Sequence, residues 1–219
     1  MYIPKHFEVS EFEEVVRFVS QVGAADLVTV DPTGLPTSTL MPCMWDIENA
    51  ADSNYGSLIM HMARGNQQWK SIVRGNLGLA IVHGRQAYIS PSNYEGKVTD
   101  HKVVPTWNYQ SVHLSGEVEI SEDTELLRQI VCNLTDLHES ERNNPWRAVD
   151  AEPKYFEAQL KGIVAVILRV NKVEAKYKLS QNRSVLDRES VIIDLERSAH
   201  SGDHEIATAM KETLDTFTE

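Results

Sequence analysis

The chain has 219 residues, enough for one domain with a sizeable core, and its 42% hydrophobic and 24% charged residues are ordinary for a folded protein. Lys and Arg total 21 against 32 Asp and Glu, a net charge of −11, with no basic run or helix-turn-helix pattern to offset it; this balance opposes direct DNA binding through phosphate contacts. Two cysteines, Cys43 and Cys132, make no disulfide framework, no stretch approaches the ~18 apolar residues of a membrane span, and the opening "MYIPKHFEVS" lacks the apolar core of a signal peptide, so the expected location is the cytoplasm.

Ser10 precedes a helical pattern in which Phe12, Val15, Val16, Val19 and Val22 share one face. Ser10 and Glu13 fit a capping box, and Gly23 suits the left-handed C-terminal position. Leu27, Val28 and Val30 start a strand. "DPTG" turns it, and "LPTSTLMPCMW" returns as a partner that Pro36 and Pro42 should interrupt or confine to an edge. "NAADSNYG" reads as a loop and "SLIMHMA", residues 57–63, as a strand. A short helix should begin near Asn66. "LGLAIVHG" and "RQAYISP" read as a hairpin turning at Gly84–Arg85, and "SNYEGKVTDHK" as an exposed loop.

"VVPTWNYQSVHLSGEVEIS" is a long strand, expected to bend or bulge near Gly116. Ser121, Glu122 and Asp123 open a helix whose buried face is Leu126, Leu127, Ile130, Val131 and Leu134. A loop leads to a short helix near "KYFEAQL". "IVAVILRVNKVEAKY" is the last strand, its first half apolar enough to be covered on both faces. Helices over 184–198 and 203–217 end the chain. Six or seven strands without βαβ alternation predict an α+β fold, a closed antiparallel barrel with flanking helices.

No metalloprotease, nucleophile-elbow, Walker or dinucleotide-binding signature is present. His200 and His204 read as surface residues, the other histidines as scattered, and both cysteines as packed thiols. Three segments carry more chemistry. In "HMARGNQQWK", 61–70, a strand meets a helix start beside Arg64, where free amides favour an anion; a polar turn anchored by Trp69 is the alternative. In "VPTWNY", 104–109, Trp107 and Tyr109 share a strand face, fit for the core or for a flat ring. "YKLSQNR", 177–183, gathers Lys178, Gln181, Asn182 and Arg183 at a strand end, more donors than a cap at Asn182 or Ser184 explains.

"MYIPKHFE", "HMARGNQQW", "QAYISPSNY", "KVVPTWNY", "LTDLHE" with "PW", and "KYKLSQNR" occur in order from Met1 to about Arg188 and closely resemble the PaiB family of FMN-binding negative transcriptional regulators. The resemblance implies an FMN-binding split β-barrel of Greek-key type, related to pyridoxamine-phosphate-oxidase-like flavoproteins. Residues 1–188 would form that domain and 189–219 a helical extension packed on it. It also implies a homodimer with FMN at the subunit interface. On this reading Arg64, Asn66 and the amides from Gly65 to Gln68, beside Trp69, hold the phosphate. His61, Met62 and Ala63 lie against the ring, and Trp107 and Tyr109 wall it. Lys178, Gln181, Asn182 and Arg183 reach the flavin or its phosphate from either subunit. The chain departs from the family pattern in "GNQQW" where "ANPQW" is expected, and in Asn93 where an aromatic follows "SPS". The implied role is transcriptional repression through a flavin- or ligand-bound dimer. A flavin-dependent oxidoreductase is the alternative, so enzymatic activity stays open, and a haem-binding relative is a third reading.

Overall fold

The computed structural model describes residues 1–48, 53–73, 75–94, 97 and 102–215. Six strands close into a barrel: Ala24–Val30 (β1), Pro36–Asp46 (β2), Ser57–Ala63 (β3), Leu77–Ile89 (β4), Thr106–Ser121 (β5) and Ile163–Lys178 (β6). Their order is β1-β2-β3-β6-β5-β4, and the β1–β2, β1–β4, β2–β3 and β3–β6 pairs are antiparallel. Seating β6 rather than β4 beside β3 makes the connection of Greek-key type. The helices are Phe12–Val22 (α1), Gln68–Ser71 (α2), Thr124–Glu139 (α3), Pro153–Leu160 (α4), Val185–Glu196 (α5) and Ser201–Asp215 (α6). The expected α+β antiparallel barrel with flanking helices is therefore the fold.

The chain divides into two units, one of Met1–Val15, His83–Val112 and Ala175–Glu219, the other of Val16–Val82 and His113–Glu174. In the second unit α3 buries Leu127, Ile130 and Leu134 with Leu160 of α4 and Ala165 of β6. Asp123 caps α3 by accepting from the Leu126 amide at 2.8 Å. In the first unit α5 and α6 pack together, burying Val191, Ile192 and Leu195 of α5, and Ile206, Ala207 and Met210 of α6. The Arg188 guanidinium, also buried, reaches Thr213 Oγ1 at 2.6 Å, and burial lowers its pKa.

Several local expectations change. The residues read as a hairpin turning at Gly84–Arg85 form one continuous strand, β4, because Gly84 keeps extended backbone and adopts no positive φ. Nor does Pro42 break β2. It pairs with Ala24 at the end of the β1 register, and from Cys43 onward β2 pairs with β3 instead, so the missing donor falls at the changeover. The Ser10 hydroxyl donates to the Glu11 carboxylate, and the Glu14 and Val15 amides bond to the Glu11 carbonyl. Gly23, at φ 65°, ends α1 as expected.

Within the polar stretch read as exposed, Tyr94 is buried and 91–93 form a short helical turn. Residues 95, 96 and 98–101 of that stretch, His101 included, lie outside the described residues, as do 49–52 of the earlier loop and 216–217 of the last helix. The first half of β6, Val164 to Leu168, is buried as its apolar run implied. Cys43 is buried, which pushes its thiol up to about 12, and Cys132 is half-buried; both are free.

Gly116 of β5 marks a close approach of backbones. A methyl group there would stand 1.7 Å from the Arg169 carbonyl oxygen. Gly116→Ala should therefore destabilise the protein by about 1–3 kcal/mol through overpacking, read as a lower urea midpoint at unchanged slope.

Candidate functional site

The 61–70 segment lies in the second unit. β3 alternates, so Met60 and Met62 point into the core while His61 takes the other face. His61 Nδ1 is buried without a hydrogen-bond partner, and burial lowers the pKa of the ring. Ala63 is exposed. Arg64 directly follows the strand. Its Nε donates to the Lys161 carbonyl at 2.9 Å and its Nη2 to the Ile163 carbonyl at 3.3 Å, while Nη1 pairs with Glu122. The side chain stays 38% exposed. Arg64 thus ties the end of β3 to the start of β6.

The turn after it is closed by its own side chains. Asn66 Oδ1 accepts from the Gln68 amide at 2.9 Å, and its Nδ2 donates to Thr39 Oγ1 at 2.9 Å. Gln68 is buried, with Nε2 3.0 Å from Leu27 O, Thr29 Oγ1 and Thr37 O, and Oε1 accepting from Thr39 Oγ1 at 2.5 Å. That amide joins α2 to β1 and β2. Trp69 Nε1 donates to the Arg64 carbonyl at 3.0 Å, and Lys70 sits 5.8 Å over the Trp69 ring. Space is open beside Gly65, where an added methyl would meet nothing within 4 Å.

The remaining candidates lie in the first unit. Trp107 is exposed and meets Tyr88 edge-on, with ring centres 5.9 Å apart. At the end of β6, Lys176 is 8% exposed; its ammonium donates to the Tyr2 carbonyl at 3.1 Å and lies 5.8 Å from the Tyr2 ring, 6.0 Å from Phe7 and 5.5 Å from Tyr109. Lys178 donates to Thr106 Oγ1 at 2.5 Å and to the Trp107 carbonyl. Burial, then the charges of Lys176 and Arg183, lower its pKa. Arg183 stacks 4.6 Å over the Tyr94 ring.

Between them the chain turns sharply. Ser180 takes φ 64°, a left-handed conformation that non-glycine residues adopt at a cost of about 1 kcal/mol or more. Its hydroxyl exchanges bonds of 3.0 and 3.1 Å with the fully buried Asn108, whose Nδ2 also reaches Met210 Sδ. Gln181 closes the same turn, accepting from the Leu179 amide at 2.7 Å and donating to the Tyr177 carbonyl at 2.6 Å. Asn182 is exposed, and Ser184 caps α5.

So the candidates fall into two groups, 61–69 in one unit and 107, 109 and 178–183 in the other. Sequence reasoning missed Lys176, Tyr94, Phe7 and Tyr2. Lys176 was findable, since it shares a strand face with Lys178 two residues on. His200 and His204 are exposed, and among the described residues no three His, Cys, Asp or Glu side chains group to hold a metal. No described helix is long and apolar enough to cross a membrane.

An antiparallel six-stranded Greek-key barrel with cations and aromatic rings at its strand ends is the architecture of a split-barrel flavoprotein. The donor chemistry fits FMN, whose phosphate is a dianion and whose ring is flat and apolar on its faces. The family model described as "Putative FMN-binding domain" matches residues 1–172, and the chain belongs to this family of FMN-binding proteins. Its cofactor is FMN. The chain is 36% identical over 214 residues to "Protease synthase and sporulation protein PAI 2" of Bacillus subtilis, covering 98% of each. Among solved structures, an FAD and heme binding protein from Mycobacterium smegmatis superposes with a TM-score of 0.56 at 15% identity, over 78% of this chain and 73% of that one. The flavocytochrome Anf3 from Azotobacter vinelandii gives a TM-score of 0.54 at 14% identity, over 80% and 72%. These two likenesses concern the fold.

Two consequences are measurable. Gln68→Leu leaves three acceptors on β1 and β2 without their donor and should cost about 2–4 kcal/mol in urea unfolding. His61 takes its proton at lower pH when folded than when unfolded. The unfolded chain therefore binds more protons below its ordinary pKa of about 6.5, and stability falls as pH drops from there toward the folded value. Between about pH 7.5 and about pH 5.5 the parent should lose more stability than His61→Phe, and equal losses would remove His61 as the cause.

Proposed function

We propose that the protein works as an FMN-loaded homodimer that represses transcription in response to the state of its flavin or a bound ligand. The observation that carries this reading is the end-to-end similarity to the PAI 2 protein, 98% of both chains at 36% identity. Residues 1–188 would make up the flavin-binding part and 189–219 a helical extension. In the second unit, Arg64, Asn66 and the amides of the turn up to Gln68, backed by Trp69, supply donors for a phosphate, with His61, Met62 and Ala63 on the strand leading to them. In the first unit, Trp107 and Tyr109 offer aromatic surface to a flat ring, and Lys178, Gln181, Asn182 and Arg183 supply donors for its carbonyl and nitrogen acceptors. The free thiols Cys43 and Cys132 suit the reducing conditions of a cytoplasm.

A second reading, a flavin-dependent oxidoreductase, is favoured by the net charge of −11, which opposes contact with a DNA backbone. The cofactor itself supplies hydride transfer when bound, so the chain needs only to position it and to exclude water.

The cofactor map is tested by titrating purified protein with FMN. Arg64→Ala should weaken binding by about tenfold or more, the scale of one charge-assisted contact to phosphate. If Arg64→Ala and Arg183→Ala both bind FMN as tightly as the parent, the map is wrong. Light scattering reads the dimer. Turnover of NAD(P)H with FMN present favours the oxidoreductase, and a salt-dependent specific shift of a promoter fragment favours the repressor.

A further inference from the structure

We propose that the hollow between β5, β6 and the loop after α2 binds a zwitterion with an apolar side chain, a free α-amino acid or a dipeptide. The hollow lies within the second unit. Glu117, Glu119, Arg169 and Asn171 form its polar side, and Ile72 and Val73 are among its apolar residues. None of these residues belongs to the cofactor map, and binding here does not depend on the flavin reading. For the repressor reading, the site supplies the class of effector.

Strand geometry places the charges. β5 and β6 are neighbours in the barrel, and residues two apart on a strand share a face. Glu117 and Glu119 therefore stand together on β5, and Arg169 and Asn171 together on β6. Gly116 lets the two backbones close up, since an added methyl would also stand 3.2 Å from the Asn171 amide nitrogen. Arg169 is held by two bonds, Nη2 to Glu119 Oε2 at 2.9 Å and Nη1 to Ser57 Oγ at 3.3 Å. A guanidinium has five donors, so three remain for a ligand. Glu117 pairs with no cation among the described residues.

The hollow thus offers both signs at once, an oriented cation with spare donors and a carboxylate without a partner. A simple anion meets two glutamates there, and a simple cation meets Arg169. A molecule carrying both charges on adjacent atoms satisfies both sides, its carboxylate on Arg169 and Asn171 and its ammonium on Glu117. The apolar wall takes the side chain: Ile72 and Val118 are buried, and Val73 is exposed at the rim. Space is open beside Gly75, and the volume of about 610 Å³ admits a dipeptide as well as a single amino acid. The site is separate from the phosphate candidate. Arg64 docks at Ile163, opposite Ala63, while Arg169 stands opposite Ser57, about 20 Å further along β6.

L-Leucine and L-leucyl-L-leucine are the probes, titrated calorimetrically into the purified protein with and without FMN. At least one should saturate with a Kd of about 1 mM or tighter, and the tighter of the two decides between amino acid and dipeptide. Isoamylamine and 4-methylpentanoate each keep the leucine side chain and one charge, and should bind about tenfold or more weakly. Glu117→Gln, an exposed change, should weaken the probe about tenfold while leaving FMN affinity within about threefold and the melting temperature unchanged. Arg169→Lys keeps a cation but loses the planar fork, and should weaken the probe in the same direction. The proposal is overturned if neither probe saturates below about 10 mM, if a single-charge analogue binds as tightly as leucine, or if Glu117→Gln binds the probe like the parent. Competition between FMN and the probe would also overturn it, by assigning the hollow to the cofactor. Probe binding by a protein that takes up no FMN would support this site and sink the flavin reading, whereas FMN uptake without probe binding would sink this site alone.

Discussion

The pairing of β3 with β6 is the constraint on which the rest depends. Seven residues of β3 run antiparallel to β6, from Ser57 opposite Arg169 to Ala63 opposite Ile163. Along β3 Met60 and Met62 are buried and His61 takes the other face, so a shift of one residue would turn those methionines out of the core. With the register held, the backbone of Arg64 falls against the Gly162 carbonyl and its side chain against Lys161 and Ile163. The phosphate candidate of the 61–69 turn is therefore oriented by strand register, before any ligand contributes.

Polar groups serve two ends in this chain. Around Gln68 nearly every donor has an internal acceptor, and removing one partner leaves the others buried and unsatisfied. Lys176 is buried among the rings of Tyr2, Phe7 and Tyr109, and among the described residues it pairs with no carboxylate. The first pattern holds a fold. The second holds a charge at a cost in hydration that the aromatic faces partly recover. A global charge of −11 hides this, because burial and short distances outweigh a screened distant field.

Periodicity made the regular parts legible. α1, β3, α3 and β6 each carry a clean apolar face, and each stands where that face predicted. What failed depended on partners. Gly84–Arg85 has the composition of a turn, but whether a glycine bends or stays extended is decided by the neighbouring strands, which a local reading does not contain. Pro42 looked like a breaker because its register with Ala24 was unknown. Tyr94 sat in a polar run and is buried under Arg183, a contact between residues far apart in sequence. The donors at 178–183 were visible as a cluster, but their division of labour was not. Gln181 and Ser184 serve the backbone, while Lys178 and Arg183 pair with no carboxylate among the described residues.

Ser180 shows why that division is stable. A serine in the left-handed region persists only where surrounding bonds determine it. Here Asn108, fully buried on β5, exchanges hydrogen bonds with the Ser180 hydroxyl and also reaches Met210 of α6. One amide thus joins the tight turn after β6, the strand carrying Trp107 and Tyr109, and the last helix. The cations of 176–183 inherit their position from that junction. α6 is then part of the scaffold that aims them, and α5, which starts at the Ser184 cap directly after the turn, fixes where Arg183 leaves the backbone. The C-terminal helices therefore belong to the same structural problem as the turn.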